Sequence, residues 1–295
     1  TTVDMGVFWV MYDFSANATT YLVIPDGFDT LNWGSIISDK QYYSNEATWT
    51  YVTYLVWNSE TGNGAVYYTR SDDLGTTFDN LTMLWQESDH STDIGPDYSV
   101  YRGGLSAAFS TAEPGGSVDH VWTTISLNIS GDVHVSKINV YTNEVTSQVV
   151  MSGDDYNTHS APTIAAYFGS VGGFTTTYWL DGYGYNLYNP DVGMTFTYDE
   201  GATWGDAYQW YYFGDSEDLW DYSTSPHFSA DGVLGFGYAA WDETNDVLYR
   251  TNRTGSFLGG WDALRTVGTG LSENIYKIGS VIQDGLISVV YDNTD

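Results

Sequence analysis

A tyrosine-led segment recurs five times along the chain, and this repeat limits the fold more strongly than any other feature of the sequence. Successive copies are 54 to 66 residues apart and begin at Tyr43, Tyr98, Tyr156, Tyr222 and Tyr276. A four-stranded blade of a β-propeller needs about 40–50 residues, and loop insertions lengthen it. The spacing therefore predicts five blades, with each tyrosine marking the start of an innermost strand.

A second repeated element supports an all-β fold. Five runs rich in aromatic and β-branched residues follow the tyrosines, and each ends in Asn or Asp, at Asn58, Asn128, Asp181, Asp242 and Asp292. Such runs, bounded by turn-forming residues, are typical of β-strands. No segment carries the apolar spacing of an amphipathic helix.

A third family of strands indicates how the ring closes. Its four copies "AVYYTRS", "DVHVSKI", "VGMTFTY" and "DVLYRTN" each follow an aromatic run, but the fifth run lies at the C-terminus. Val3 to Asp13 has the same character at the other end of the chain, so a shared last blade would remove two exposed edges. The prediction is one domain, 1–295, forming a closed five-bladed propeller. Its blades cover 39–88, 97–152, 155–214, 221–268, and 273–295 together with 1–26.

One turn occurs twice, as "SDDLGTTF" and "TYDEGATW", at the ends of third strands. The aspartates are expected to accept backbone N–H bonds, the glycines to adopt positive φ, and the last aromatic residue to pack under the hairpin. These ten positions are predicted to be structural: Ser71, Asp73, Gly75, Thr77, Phe78, Thr197, Asp199, Gly201, Thr203 and Trp204.

The turn resembles the Asp-box, or BNR repeat, of sialidases, sortilin-type receptors and many secreted propellers. The resemblance implies a propeller fold, as in the sialidase-like superfamily. In those families the box lies away from the ligand, so the resemblance places the functional site elsewhere. We expect that site in the central funnel, where the innermost strands begin.

Charged residues near the tyrosines are the candidates for this funnel. Five of them are predicted to bind a ligand, namely Glu46, Arg102, His159, His227 and Lys277. Five carboxylates at the same strand starts would serve an enzyme, namely Glu46, Asp97, Asp155, Asp221 and Glu273. The competing interpretation is that the basic groups only neutralise nearby carboxylates at strand ends.

Composition excludes several classes of partner. Eight Lys and Arg residues against 38 Asp and Glu residues give a formal net charge of −30, which repels nucleic acid and anionic lipid. No apolar run reaches the ~18 residues of a membrane-spanning helix, so no membrane insertion is expected. The charge also suits a protein adapted to strong salt. The chain has no cysteine, and hence neither disulfides nor thiolate metal sites.

Export to an extracellular position, or to a cell or virion surface, is the expected localisation. The chain begins "TTVDMG", as a processed chain would. Glycosylation sequons occur at Asn17, Asn80, Asn128 and Asn252. No cofactor and no catalytic metal are expected, because the acidic loops lack the spacing of a calcium-binding EF-hand; structural calcium is left open.

The sequence favours a recognition or structural propeller that binds a glycan or a protein partner, within a larger surface or virion assembly, without turnover. The alternative is a propeller-type glycoside hydrolase using the strand-start carboxylates, although no family motif surrounds them. A neuraminidase is not expected. That chemistry needs three arginines around the substrate carboxylate, and only Arg102 is predicted to lie in the funnel.

Overall fold

The computed structural model describes the chain mainly as strands and the turns beside them. The described residues are 7–13, 16–22, 28, 30–38, 49–57, 64–73, 77–87, 105–111, 118–126, 132–151, 157–167, 170–180, 187–205, 208–211, 225–228, 236–241, 247–252, 265–268, 278–283 and 286–291. Within these ranges the structure contains strands and no helix, and every strand pairing is antiparallel. The all-β prediction is confirmed. None of the described segments is a helix that could cross a membrane.

The strands form successive meanders along the chain. The N-terminal hairpin consists of β1 (Val7–Asp13) and β2 (Ala16–Leu22). The first four-stranded sheet contains β3 (Thr30–Ser38), β4 (Thr50–Trp57), β5 (Gly64–Ser71) and β6 (Thr82–Glu87). The second contains β7 (Leu105–Thr111), β8 (Val118–Ser126), β9 (Val133–Asn139) and β10 (Val145–Met151).

The C-terminal half repeats the same arrangement. The third sheet contains β11 (Asn157–Tyr167), β12 (Ser170–Leu180), β13 (Leu187–Thr197) and β14 (Tyr208–Tyr211). The fourth contains β15 (Ser225–Phe228), β16 (Phe236–Trp241), β17 (Val247–Asn252) and β18 (Arg265–Gly268). The C-terminal hairpin consists of β19 (Ile278–Gln283) and β20 (Leu286–Tyr291).

The first strand of each unit lies innermost. In all four complete sheets the strands are ordered as they occur in the chain. Strand β3 lies beside β7, β7 beside β11, β11 beside β15, and β15 beside β19. Four sheets thus follow one another around a common row of first strands, which is the arrangement that blades of a propeller need.

The first sheet begins earlier than predicted. It starts with β3 at Thr30 rather than at the expected boundary of 39. The tyrosine copy at Tyr43 therefore falls between β3 and β4, whereas the other four copies precede the first strand of their sheets. Because consecutive strands are antiparallel, the β3–β4 connection leaves the end of the sheet opposite to the one where β3 begins.

The predicted closure of the ring is not formed by the described strands. Among them, β1 pairs with β2 and β20 pairs with β19, as two separate two-stranded sheets. The two hairpins supply the four strands that a shared fifth blade would need. The five-bladed closed ring, with β1 next to β20, stays a prediction.

Packing between the first and second sheets explains why their strands are apolar on both faces. Alternate residues of a strand point to opposite faces, so a sheet stacked between two others must be apolar on each. Tyr51 and Tyr68 of the first sheet pack against Val121 and Ile138 of the second, and all four are at most 1 % exposed. On the opposite face of the first sheet, Tyr54 belongs to a separate cluster that includes Phe28 and Phe78.

The second and third sheets meet around one tryptophan. Trp122 on β8 is 1 % exposed and packs with Val135 and with Ile164 of β11. Trp204 is the last residue of the second copy of the repeated turn. Its ring lies edge-on to Trp122, with the ring centroids 6.2 Å apart. This aromatic pair fixes the turn of the third sheet against the face of the second.

Candidate functional site

Two of the predicted funnel residues lie within the described part of the chain. His159 lies in β11 opposite Thr177, and His227 lies in β15 opposite Gly237. Strands β11 and β15 are neighbours, so the structure brings these two positions onto adjacent first strands. The remaining candidates lie outside the described residues, namely Glu46, Asp97, Arg102, Asp155, Asp221, Glu273 and Lys277.

Chain order separates Glu46 from the other carboxylates. Asp97, Asp155, Asp221 and Glu273 each come shortly before the first strand of a sheet, whereas Glu46 comes between β3 and β4. The residue that directly precedes β3 is Asp29, which sequence reasoning missed. The segment "GFDTLNWG" contains this aspartate directly before β3. The tyrosine-led segment at Tyr43 predicts the start of the first sheet instead, which places the predicted boundary too far along the chain.

Both copies of the repeated turn use one hydrogen-bond pattern. Asp73 accepts from the Thr77 backbone N–H (2.8 Å) and the Thr77 hydroxyl (2.7 Å), while Ser71 donates to it from the strand end (2.7 Å). Asp199 accepts from the same two groups of Thr203, at 2.8 Å and 2.6 Å. The predicted role of the two aspartates as backbone acceptors is confirmed.

The second turn also shows the predicted backbone conformation. Gly201 has φ of +85°, and its N–H donates to the Thr197 hydroxyl at 3.0 Å. Gly75, its counterpart in the first turn, lies outside the described residues. Hydrogen bonds from Thr197 and Thr203 lower the pKa of Asp199 to about 2, because each of them stabilises the charged carboxylate.

The lowered pKa of Asp199 predicts a defined acid sensitivity. A depressed folded-state pKa contributes stability that is complete above the unfolded pKa, near 4, and is lost as the pH falls towards about 2. We expect Asp199→Asn to lower the melting temperature at pH 6, and the difference from wild type to shrink progressively between pH 4 and pH 2. Melting curves across this range measure it. Glu144→Gln, at an exposed turn position, serves as the control, and a constant Asp199→Asn deficit down to pH 2 contradicts the prediction.

Basic residues in the described part of the chain join neighbouring sheets. Arg70, at the end of β5, pairs with Asp79 (Nε to Oδ2, 2.5 Å) and donates to the Val140 carbonyl of the second sheet (2.7 Å). Its guanidinium lies 5.0 Å from the ring centroid of Trp49. Because these contacts occupy Arg70, it is not available as part of an arginine clamp for a substrate carboxylate. Arg250 and Arg265 lie in third and fourth strands, β17 and β18.

Lys137, which the sequence did not single out, forms the joint between the second and third sheets. Its ammonium donates to the Glu200 carboxylate (3.0 Å) and to the Glu200 carbonyl (3.1 Å), and lies 5.3 Å from the ring centroid of Trp122. Lys137 lowers the pKa of Glu200. A second bridge joins the Gln148 amide to the Gly201 carbonyl at 2.9 Å.

A cleft of about 350 Å³ lies at this joint. Two carboxylates, Asp199 and Glu200, line it. The pKa of each is lowered, so both lose the proton more readily than an ordinary carboxyl group does. A general acid must hold a proton near neutral pH, so neither residue suits that role. The described residues contain no group of three His, Asp or Glu side chains arranged to hold a metal ion.

Comparison with known proteins places the fold. No protein-family model matches the chain, and no curated protein matches it in sequence. An α-L-arabinofuranosidase from Fusarium graminearum, solved with an iminosugar inhibitor, aligns over 89% of this chain and 71% of its own, with TM-score 0.54 and 8% identity. A mutant of the same enzyme aligns over 94% and 76%, with TM-score 0.55 and 7% identity. The chain shares the fold of these β-propeller enzymes.

An α-L-arabinanase from Penicillium chrysogenum, complexed with arabinobiose, is also similar in structure. It aligns over 87% of this chain and 72% of its own, with TM-score 0.47 and 11% identity. At 7–8% identity, the structural likeness to the arabinofuranosidase shows the fold and leaves activity to the residues of the site.

Proposed function

We propose that this protein binds a glycan in the funnel at the row of first strands and hydrolyses a glycosidic bond there. The proposal reverses the preference drawn from the sequence, which favoured binding without turnover. The observation that carries it is the likeness, over 89% of the chain, to an α-L-arabinofuranosidase. α-L-Arabinofuranosides are accordingly the first substrate class to test.

The chain supplies carboxylates where such chemistry would need them. Asp29, Asp97, Asp155, Asp221 and Glu273 each precede a first strand. The first strands lie side by side, and a shared orientation would bring these carboxylates to one end of the row. Glycoside hydrolysis uses two carboxyl groups, one protonating the leaving oxygen and the other acting as nucleophile or as base towards water.

The separation of the active pair would decide the stereochemical outcome. Carboxyl groups about 5–5.5 Å apart favour retention through a covalent glycosyl intermediate, and groups about 6.5–9.5 Å apart leave room for an attacking water and favour inversion. Arg102 and the histidines at 159 and 227 would then hold the sugar hydroxyls and tune the carboxyl pKa values.

Matched substitutions test the proposal. We expect release of reducing sugar from α-L-arabino-oligosaccharides, and a loss of about 100-fold or more when an active carboxyl group becomes an amide. The variants are Asp29→Asn, Asp97→Asn, Asp155→Asn, Asp221→Asn and Glu273→Gln. Glu46→Gln is the matched control, because its place between β3 and β4 puts it outside the set; its activity should stay near that of wild type.

Glycan recognition without turnover is the second candidate. It is favoured by the lack of a recognised motif around the five carboxylates and by the number of Trp and Tyr residues, 12 and 26, in the chain. A glycan array followed by a reducing-sugar assay on each hit separates the two functions. Binding with no release of sugar, unaffected by all five amide variants, would reject hydrolysis and leave recognition.

A further inference from the structure

The cleft between the second and third sheets has a floor built from one face of the second sheet. Trp122 lies opposite Lys137, and Lys137 lies opposite Thr146, across β8, β9 and β10. Gln148 lies two residues along β10 and so shares their face. Trp122 is 1 % exposed, so its ring shapes the bottom of the cleft beneath Lys137.

The repeated turn of the third sheet forms the opposing wall. Asp199, Glu200, Gly201 and Ala202 line it, and two cross-sheet contacts hold it in place, from Lys137 and from Gln148. The resulting volume of about 350 Å³ falls within the range of ligand pockets, about 300–1,000 Å³. The cleft opens beside the outermost strand β10 and not at the row of first strands.

Hydrogen-bonding groups of both kinds remain unused in the cleft. Among the described residues, the Thr146 hydroxyl has no partner, and Gln148 uses only its amide nitrogen, which leaves its carbonyl oxygen as an acceptor. Lys137 carries three N–H groups. It donates to two oxygens of Glu200, one of the carbonyl and one of the carboxylate. The Glu200 side chain is 55% exposed. The lining of the cleft thus contains both donors and acceptors.

The charges exclude most other small ligands. Two carboxylates against one ammonium disfavour an anion. A cation would have to compete with the hydrogen bonds that Thr197 and Thr203 donate to the oxygens of Asp199. A neutral polyhydroxyl compound has hydroxyl groups that both donate and accept, and so matches the unused groups.

We propose that this cleft is an accessory sugar-binding site that holds one neutral sugar residue of a glycan at the outer edge of the second and third sheets. It does not depend on hydrolysis in the funnel.

Saturation-transfer NMR on the full chain tests the proposal with four probes: methyl α-L-arabinofuranoside, D-galactose, L-fucose and N-acetyl-D-glucosamine. We expect at least one to bind at millimolar concentration. Thr146→Val should weaken it about threefold to tenfold, because one neutral hydrogen bond is lost. Ala202→Phe, at an exposed wall position, should abolish the binding of at least one probe by filling the cleft.

Ser147→Ala is the matched control. Ser147 lies on the opposite face of β10, where it contacts Ser136 and the Leu84 carbonyl, so its loss should lower stability and leave sugar binding unchanged. If none of the four probes gives a signal, the proposal is overturned. Binding of every probe that persists unchanged in Ala202→Phe also overturns it, since each sugar would then lie elsewhere.

Discussion

Trp122→Ala is expected to lower the free energy of unfolding by about 3–5 kcal/mol, a range typical of large-to-small substitutions at buried tryptophan. The indole is 1 % exposed and packs between the second and third sheets. Its Nε1–H donates to the Ser110 hydroxyl at 2.9 Å, so truncation also leaves a buried hydroxyl without its donor. The shift of the urea unfolding midpoint measures the loss.

Two further variants separate the causes of this effect. Trp122→Phe keeps a ring but loses the hydrogen bond to Ser110, and should cost less than the alanine variant. Tyr141→Ala removes an aromatic residue that is 62% exposed, and should change stability by about 0.5 kcal/mol or less. If Trp122→Ala proved no worse than Tyr141→Ala, the tryptophan could not be the centre of the joint between the sheets.

The strands could be predicted from sequence because their physical signal is local. In β4, "TYVTYLVW" alternates between two faces that are both apolar, and only a sheet stacked on two sides needs this pattern. The two turns were equally readable, since Asp73 and Asp199 bond to residues four positions away. Short sequence separation makes such contacts a property of the segment itself.

The sheet boundary at the N-terminal side could not be read in the same way. Strand β3, "TLNWGSIIS", has no tyrosine-led copy before it, and a tyrosine-led segment occurs after it instead. The repeat therefore identified the wrong residue as the start of the first sheet. Pairing of β3 with β4 makes β3 the first strand of this sheet. Such pairing depends on tertiary context and not on the local sequence alone.

The contact between Lys137 and Glu200 could not be predicted from the sequence for a related reason. Lys137 and Glu200 are 63 residues apart and belong to different sheets. Glu200 lies in the repeated turn, but nothing in the sequence links that turn to Lys137, so only the stacking of the sheets brings the two residues together. The same stacking uses Arg70 at the joint between the first and second sheets, where it meets the Val140 carbonyl. Arg70 and Lys137 each pair with a carboxylate, Asp79 and Glu200, whereas the interpretation that the basic funnel candidates do the same stays a prediction.

Gly201→Ala is the second substitution with a large expected effect, about 2–5 kcal/mol. A Cβ at this position would lie 2.9 Å from Trp122 Cη2, closer than real Cβ contacts come, and 3.1 Å from Cζ3, which is tighter than most of them. Crowding of a packed core costs about 1–3 kcal/mol. The φ of +85° adds left-handed strain of about 1–2 kcal/mol for any residue with a side chain.

These two contributions can be separated, because only one of them depends on Trp122. In a Trp122→Leu background the ring atoms near Gly201 are absent, so Gly201→Ala should cost only the backbone strain, about 1–2 kcal/mol. The shift of the urea unfolding midpoint is measured for wild type, both single variants and the double variant. An equal cost of Gly201→Ala in both backgrounds would show that contact with Trp122 contributes nothing. A smaller cost in the Trp122→Leu background would show that the glycine is required because the turn lies directly against the indole.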